Sequence, residues 1–156
     1  MKTIPKQRLF DAFHSHLEQT YQDVLREAND TAQRARESEG ANQSRYDTHK
    51  VEGSWLANSL SRRVSELEKQ LLLAKRVPLE TGLTPARIGS IINYVESGNK
   101  KAIYMIPFSQ GTTIEYDSLP VLALSPNAPL GKLFVGTQKN ETVTFREKTY
   151  VINDVY

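Results

Sequence analysis

Few residues in this chain have the types and spacing that chemistry requires. There is no cysteine, which excludes disulfides, thiolate metal sites and cysteine nucleophiles. His14 and His16 are two apart, so on a helix they point in different directions and do not readily share a metal. His49 stands alone, and Ser125 has no histidine or acid in the sequence context of a serine nucleophile. What remains is charge gathered about one polar stretch, Ser38-Glu39-Gly40-Ala41-Asn42-Gln43-Ser44-Arg45. Glu37, Glu39 and Asp47 lie there among Arg34, Arg36, Arg45 and Lys50. Such residues can meet a partner's phosphates or carboxylates, or simply solvate a turn. Their types alone leave both open.

The elements that must position this cluster are two long helices. Phe10, Phe13, Leu17, Tyr21, Val24, Ala28 and Ala35 recur at coiled-coil spacing, with Thr31 filling the longest gap. Leu56, Leu60, Val64, Leu67, Leu71 and Ala74 repeat the pattern. The spacing predicts an antiparallel coiled-coil hairpin with arms from about Pro5 to Ser38 and Tyr46 to Arg76, each about 45–50 Å long. Pro5 suits a first helical turn, and Gly40, Asn42 and Ser44 suit the connection. Gly53, inside the second arm, is expected to permit close helix approach. Trp55 is expected to pack. A rod ending in a polar turn reads as a reaching device.

The pattern changes at Val77-Pro78-Leu79-Glu80-Thr81-Gly82-Leu83-Thr84-Pro85, which reads as a linker over 78–85 between a hairpin (1–77) and a second domain (86–156). Short β-like runs follow at 88–95, 102–106, 112–116, 121–124, 142–145 and 150–152, with one short helix within 127–134. The sequence thus predicts an α+β chain ending in a small antiparallel β domain, closed by a hairpin about Glu147-Lys148. Tyr94, Tyr104 and Phe108 are expected in its core or at its rim.

Composition narrows the class. Hydrophobic residues make up 38%, below the usual share, which suits a rod that buries one stripe per helix. The net charge of +2 is no field for sequence-independent nucleic-acid binding. No apolar run approaches twenty residues, and Met1–Lys6 lacks the apolar stretch of a signal peptide, so a cytoplasmic protein with no membrane contact is expected.

The most specific signal is Ser125-Pro126-Asn127-Ala128-Pro129-Leu130-Gly131-Lys132-Leu133-Phe134-Val135-Gly136: a strand end, a Pro-stiffened turn, one helical turn and a Gly stop. It resembles the S-P-x-S-P-L-G-x-x-L-x-G signature of the Gre transcript-cleavage factors. Arg36-Glu37 leading into the polar stretch, Tyr46 and the Leu56–Leu71 repeat resemble that family's hairpin. The resemblance covers nearly the whole chain. It implies an FKBP-like C-terminal domain docked on RNA polymerase and a coiled coil inserted in the secondary channel. It also implies a carboxylate pair at the hairpin tip that helps hold a second Mg²⁺ of the polymerase centre. That ion activates a water for hydrolysis of backtracked RNA. The chain would meet the nascent RNA 3′ end only indirectly, act as a monomer, have no cofactor of its own and catalyse nothing alone.

The family tip reads G-D-x-x-E-N, whereas this chain reads Glu39-Gly40-Ala41-Asn42-Gln43-Ser44. Glu39 stands near the first acid; Asn42 or Gln43, both neutral, stands near the second. Asp47 is the nearest other carboxylate. The resemblance therefore points to Glu39 and Asp47 as the tip carboxylates and Mg²⁺ ligands, with Arg36 and Arg45 in support. Pro129, Leu130, Gly131 and Lys132 are expected to help docking or to fix the β-domain fold. A channel binder without cleavage activity, a prolyl isomerase and a coiled-coil adaptor unrelated to transcription are the alternatives.

Overall fold

The computed structural model describes residues 3–41, 48–108 and 111–156, with side chains described outside 38–52. Helix α1 (Lys6–Ala41) and α2 (Thr48–Ala74) are followed by strands β1 (Ile91–Glu96), β2 (Asn99–Met105), β3 (Thr113–Tyr116) and β4 (Leu119–Leu124). Helix α3 (Pro129–Phe134), β5 (Thr142–Phe145) and β6 (Lys148–Val155) complete the chain. The hairpin, the β domain and the single short helix expected from the sequence are all present.

The chain divides into two compact units, one of Ser15–Leu71 and one joining the chain up to His14 with Leu72–Tyr156. In the first, α1 and α2 share a narrow seam. Leu17 and Leu67 are buried, and Val24, Ala28, Thr31, Ala35, Leu60, Val64 and Leu71 are half-buried. Leu56 is corrected out of this seam: it is 49% exposed, and Ala57 takes the inward place. Keeping the four–three alternation of a heptad from Leu67 back through Leu60 requires a step of three to Ala57, then four to Gly53. A Cβ built on Gly53 meets nothing within 4 Å among the described residues. The polar faces carry local pairs. Tyr21 donates to the Glu68 carboxylate across the seam at 3.1 Å, and Arg63 meets Glu66 at 3.3 Å.

The second unit is built on a six-stranded sheet of order β3-β4-β2-β1-β6-β5. All neighbours run antiparallel except β2 and β4, which pair parallel from Ala102↔Val121 to Met105↔Leu124. The sheet is therefore mixed, where the sequence predicted antiparallel pairing alone. Most of β1 and the second half of β2, Ala102–Met105, are buried on both faces, which explains the unbroken apolar run of the latter; Asn93 is the buried polar exception in the middle of β1. Ile92, Tyr94, Ile103, Met105, Tyr150 and Ile152 pack on one side with Phe134 of α3. On the other side the first turns of α1 arrive: the Phe13 ring lies 6.1 Å from Tyr104, and the Ile4 N–H donates to the Tyr156 hydroxyl at 2.9 Å.

Three strand pairs, β1–β2, β3–β4 and β5–β6, turn through two residues that both hold positive φ: Ser97-Gly98, Asp117-Ser118 and Arg146-Glu147. These are the mirror-image turns that match strand twist. The last sits one residue earlier than predicted, because Lys148 already pairs with Phe145. The segment 78–85 is packed against this unit. Leu83 is 3% exposed, its carbonyl accepts from Ser90 Oγ at 2.6 Å, and the Glu80 carbonyl accepts from the buried Lys6 ammonium at 2.5 Å. Burial, then Arg87, pulls the Lys6 pKa down to about 8, with Glu80 opposing.

Candidate partner-contact site

The sequence-derived site falls in two places, one in each unit. In the hairpin, α1 has 36 residues and α2 has 27, so they span about 54 Å and about 40 Å at 1.5 Å per residue. Helix α1 runs on through Ser38–Ala41, which the sequence assigned to the connecting turn. The cost of Gly40, about 1 kcal/mol against alanine, does not stop it. Glu39 thus belongs to the last helical turn of α1. Arg36, three residues before it, is exposed. Arg45 and Asp47 lie outside the described residues, so the spacing of the Glu39–Asp47 pair is not defined. Farther down α2, Trp55 is 75% exposed, against the expectation that it packs. It shares a surface groove with Asn58, Arg62 and Glu66. An outward position one step off the heptad seam was legible from the spacing.

In the β unit, Ser125–Gly136 folds as one interlocked turn and helix. The Ala128 N–H donates to the Ser125 carbonyl at 3.0 Å, and Val135 N–H donates to Gly131 at 3.1 Å. Pro129 fits the first turn of α3, where a missing N–H costs nothing. A Cβ on Gly131 would lie 1.9 Å from the Ser125 carbonyl oxygen, so only glycine fits. Gly136 N–H donates to Ala86, whose own N–H donates to Thr137, both within 2.9 Å. Those two bonds tie the motif to the chain entering β1. Leu130 packs half-buried against the core. Gly131 and Leu130 therefore build the fold, while Pro129 and Lys132 are exposed.

Beside the motif runs a shallow groove of about 490 Å³ lined by Pro78, Leu83, Ile88, Pro126 and Val135, with Glu80 and Arg87 at its polar positions. Ile88 and Val135 are 36% and 45% exposed. The sequence reading missed this groove, because it joins the expected linker to the motif across some forty residues of intervening chain. Tyr94, Phe134 and Tyr150 are instead spent on one another, with ring centroids 5.5–5.8 Å apart and exposures of 0–6%.

Among solved structures, the chain is similar to the GreA factor homolog 1 (Gfh1) of Thermus thermophilus. Identity is 16%, with 92% of this chain and 94% of that chain covered at a TM-score of 0.40. A second structure of the transcription factor Gfh1 gives 16% identity, 92% of both chains and a TM-score of 0.39. Gfh1 of Thermus aquaticus gives 12%, 91% and 92%, and 0.35. No family model and no curated protein matches the chain. Overlap this loose transfers no residue role.

Proposed function

We propose that the protein is a transcription elongation factor-like regulator that binds RNA polymerase, inserts its helical hairpin in the secondary channel and modulates cleavage of backtracked RNA. The observation that carries this reading is the pairing, in one chain, of a long two-helix rod with the Ser125–Gly136 motif. A rod with a seam this thin gains little stability from its length, so its length serves reach. The β unit anchors it, with Pro129, Lys132 and the adjoining apolar groove as the contact area. The groove offers an apolar floor with charge at its rim, the anatomy of a small protein interface.

Glu39 and Asp47 carry the carboxylates proposed for the tip, with Arg36 and Arg45 beside them. Carboxylate oxygens are the hard donors that Mg²⁺ takes, and these two residues would share the polymerase's ion rather than hold one alone. When bound, that ion supplies an activated water for phosphodiester hydrolysis. The chain's own part is to bring negative charge to the ion at close range and to exclude other occupants from the channel.

A second reading has a specific observation behind it. Neutral Asn42 and Gln43 stand where the resembled family has its second acid. A tip short of charge would occupy the channel and inhibit without stimulating cleavage. The isomerase alternative is weakened, because Tyr94, Phe134 and Tyr150 fill the core instead of lining a proline pocket.

Co-sedimentation of the full chain with core RNA polymerase tests the reading. Binding that a genuine cleavage factor displaces supports channel occupancy. Absence of binding overturns it and leaves the adaptor reading.

A further inference from the structure

A second concave feature lies wholly within the β unit, away from the motif and its groove. Ile4 and Arg8, at the start of α1, share a cleft of about 600 Å³ with Lys100 of β2 and with Tyr116, Asp117 and Leu119 around the β3–β4 turn. That volume suits a small organic ligand. Its apolar floor is Ile4, which is buried, with Tyr116 and Leu119, which are half-buried. Its charged residues are Arg8, Lys100 and Asp117. Lys101, Lys139 and Lys148 each meet a carboxylate within 4 Å. Among the described residues the side chains of Arg8 and Lys100 have no ion-pair or hydrogen-bond partner. Asp117, on the same cleft, neutralises neither.

Two cations from different elements, an aromatic ring beside apolar side chains and one acceptor carboxylate line one cleft. We propose that this cleft binds a nucleoside diphosphate. The Arg8 guanidinium matches one phosphate bidentately, and the Lys100 ammonium meets the other as a point charge. The base lies against Tyr116 and Leu119, and Asp117 accepts from the sugar hydroxyls. A bare phosphate would leave the apolar floor without a role. A fatty acid would use one cation and strand Asp117. The proposal is independent of polymerase binding.

The test is calorimetric titration of the full chain with ADP and with GDP, alongside inorganic pyrophosphate and adenosine as the two halves of the ligand. Saturable one-to-one binding of a nucleotide is expected, with each half at least about tenfold weaker. Arg8→Ala and Lys100→Ala should each weaken nucleotide binding about tenfold, while Lys139→Ala, at an exposed lysine outside the cleft, leaves it unchanged. Unaltered thermal melts would show that the variants are folded. No saturation by either nucleotide at millimolar concentration overturns the proposal. Pyrophosphate binding as tightly as ADP overturns it too, as does nucleotide binding that survives both substitutions.

Discussion

Two glycines show how differently the two units are specified. At Gly131 an added methyl would lie 1.9 Å from a backbone oxygen, and at Gly53 it would meet nothing among the described residues. The β unit is a packed solid: Ile91, Ile92, Ile103, Tyr104, Met105 and Phe134 are all fully buried. The rod has a seam one side chain wide, with alanine and threonine at several inward places. The rod is held by few buried side chains, and the β unit by many.

The comparison breaks most directly at its two extremes. Phe134→Ala should cost about 3–5 kcal/mol in denaturant unfolding, because the ring fills the space between Tyr94 and Tyr150. Gly131→Ala should cost about 3 kcal/mol, since the clash is with backbone and cannot relax by a side-chain turn. Leu67→Ala, the same kind of deletion in the rod, should cost only about 2 kcal/mol, the low end for a buried leucine, because its surroundings are half-open and collapse easily. A cost equal to that of Phe134→Ala would contradict the thin-seam picture. Gly53→Ala should raise rod stability by about 1 kcal/mol, read as slower amide exchange along α2.

The smallest effect is on pH dependence. Lys6 has its folded pKa lowered to about 8, below the ordinary 10.5. Between those values the unfolded chain binds more protons than the folded one, so stability rises with pH across that window. Below pH 8 the burial penalty on the ammonium is present in full. Lys6→Met should flatten the rise between pH 8 and 10, measured by urea midpoints, and an unchanged slope would show that another group titrates there.

Much of the fold was legible because it rests on local rules. The seven-residue repeat specifies both arms, and Ser125–Gly136 specifies its own turn and helix. What escaped depends on long-range partners. Leu9 is fully buried, but a helical stripe does not name what covers it. The parallel β2–β4 pair joins strands separated by β3, and no run of residues encodes that neighbour. The end of α1 was placed early because Gly40 signals a stop more strongly than it enforces one. The site was legible only as chemistry. Glu39, Asp47 and the arginines near them are evident as a charged cluster, while their mutual geometry depends on a turn that local rules do not settle.

The central claim is that this chain acts on RNA polymerase through its hairpin. The most direct measurement is RNA cleavage by a stalled, backtracked elongation complex, with wild type, Glu39→Ala and Asp47→Ala. The account predicts that wild type changes the cleavage rate in a saturable way and that either substitution abolishes any stimulation. An unchanged rate at saturating protein, with a genuine cleavage factor acting as freely as in its absence, would contradict it.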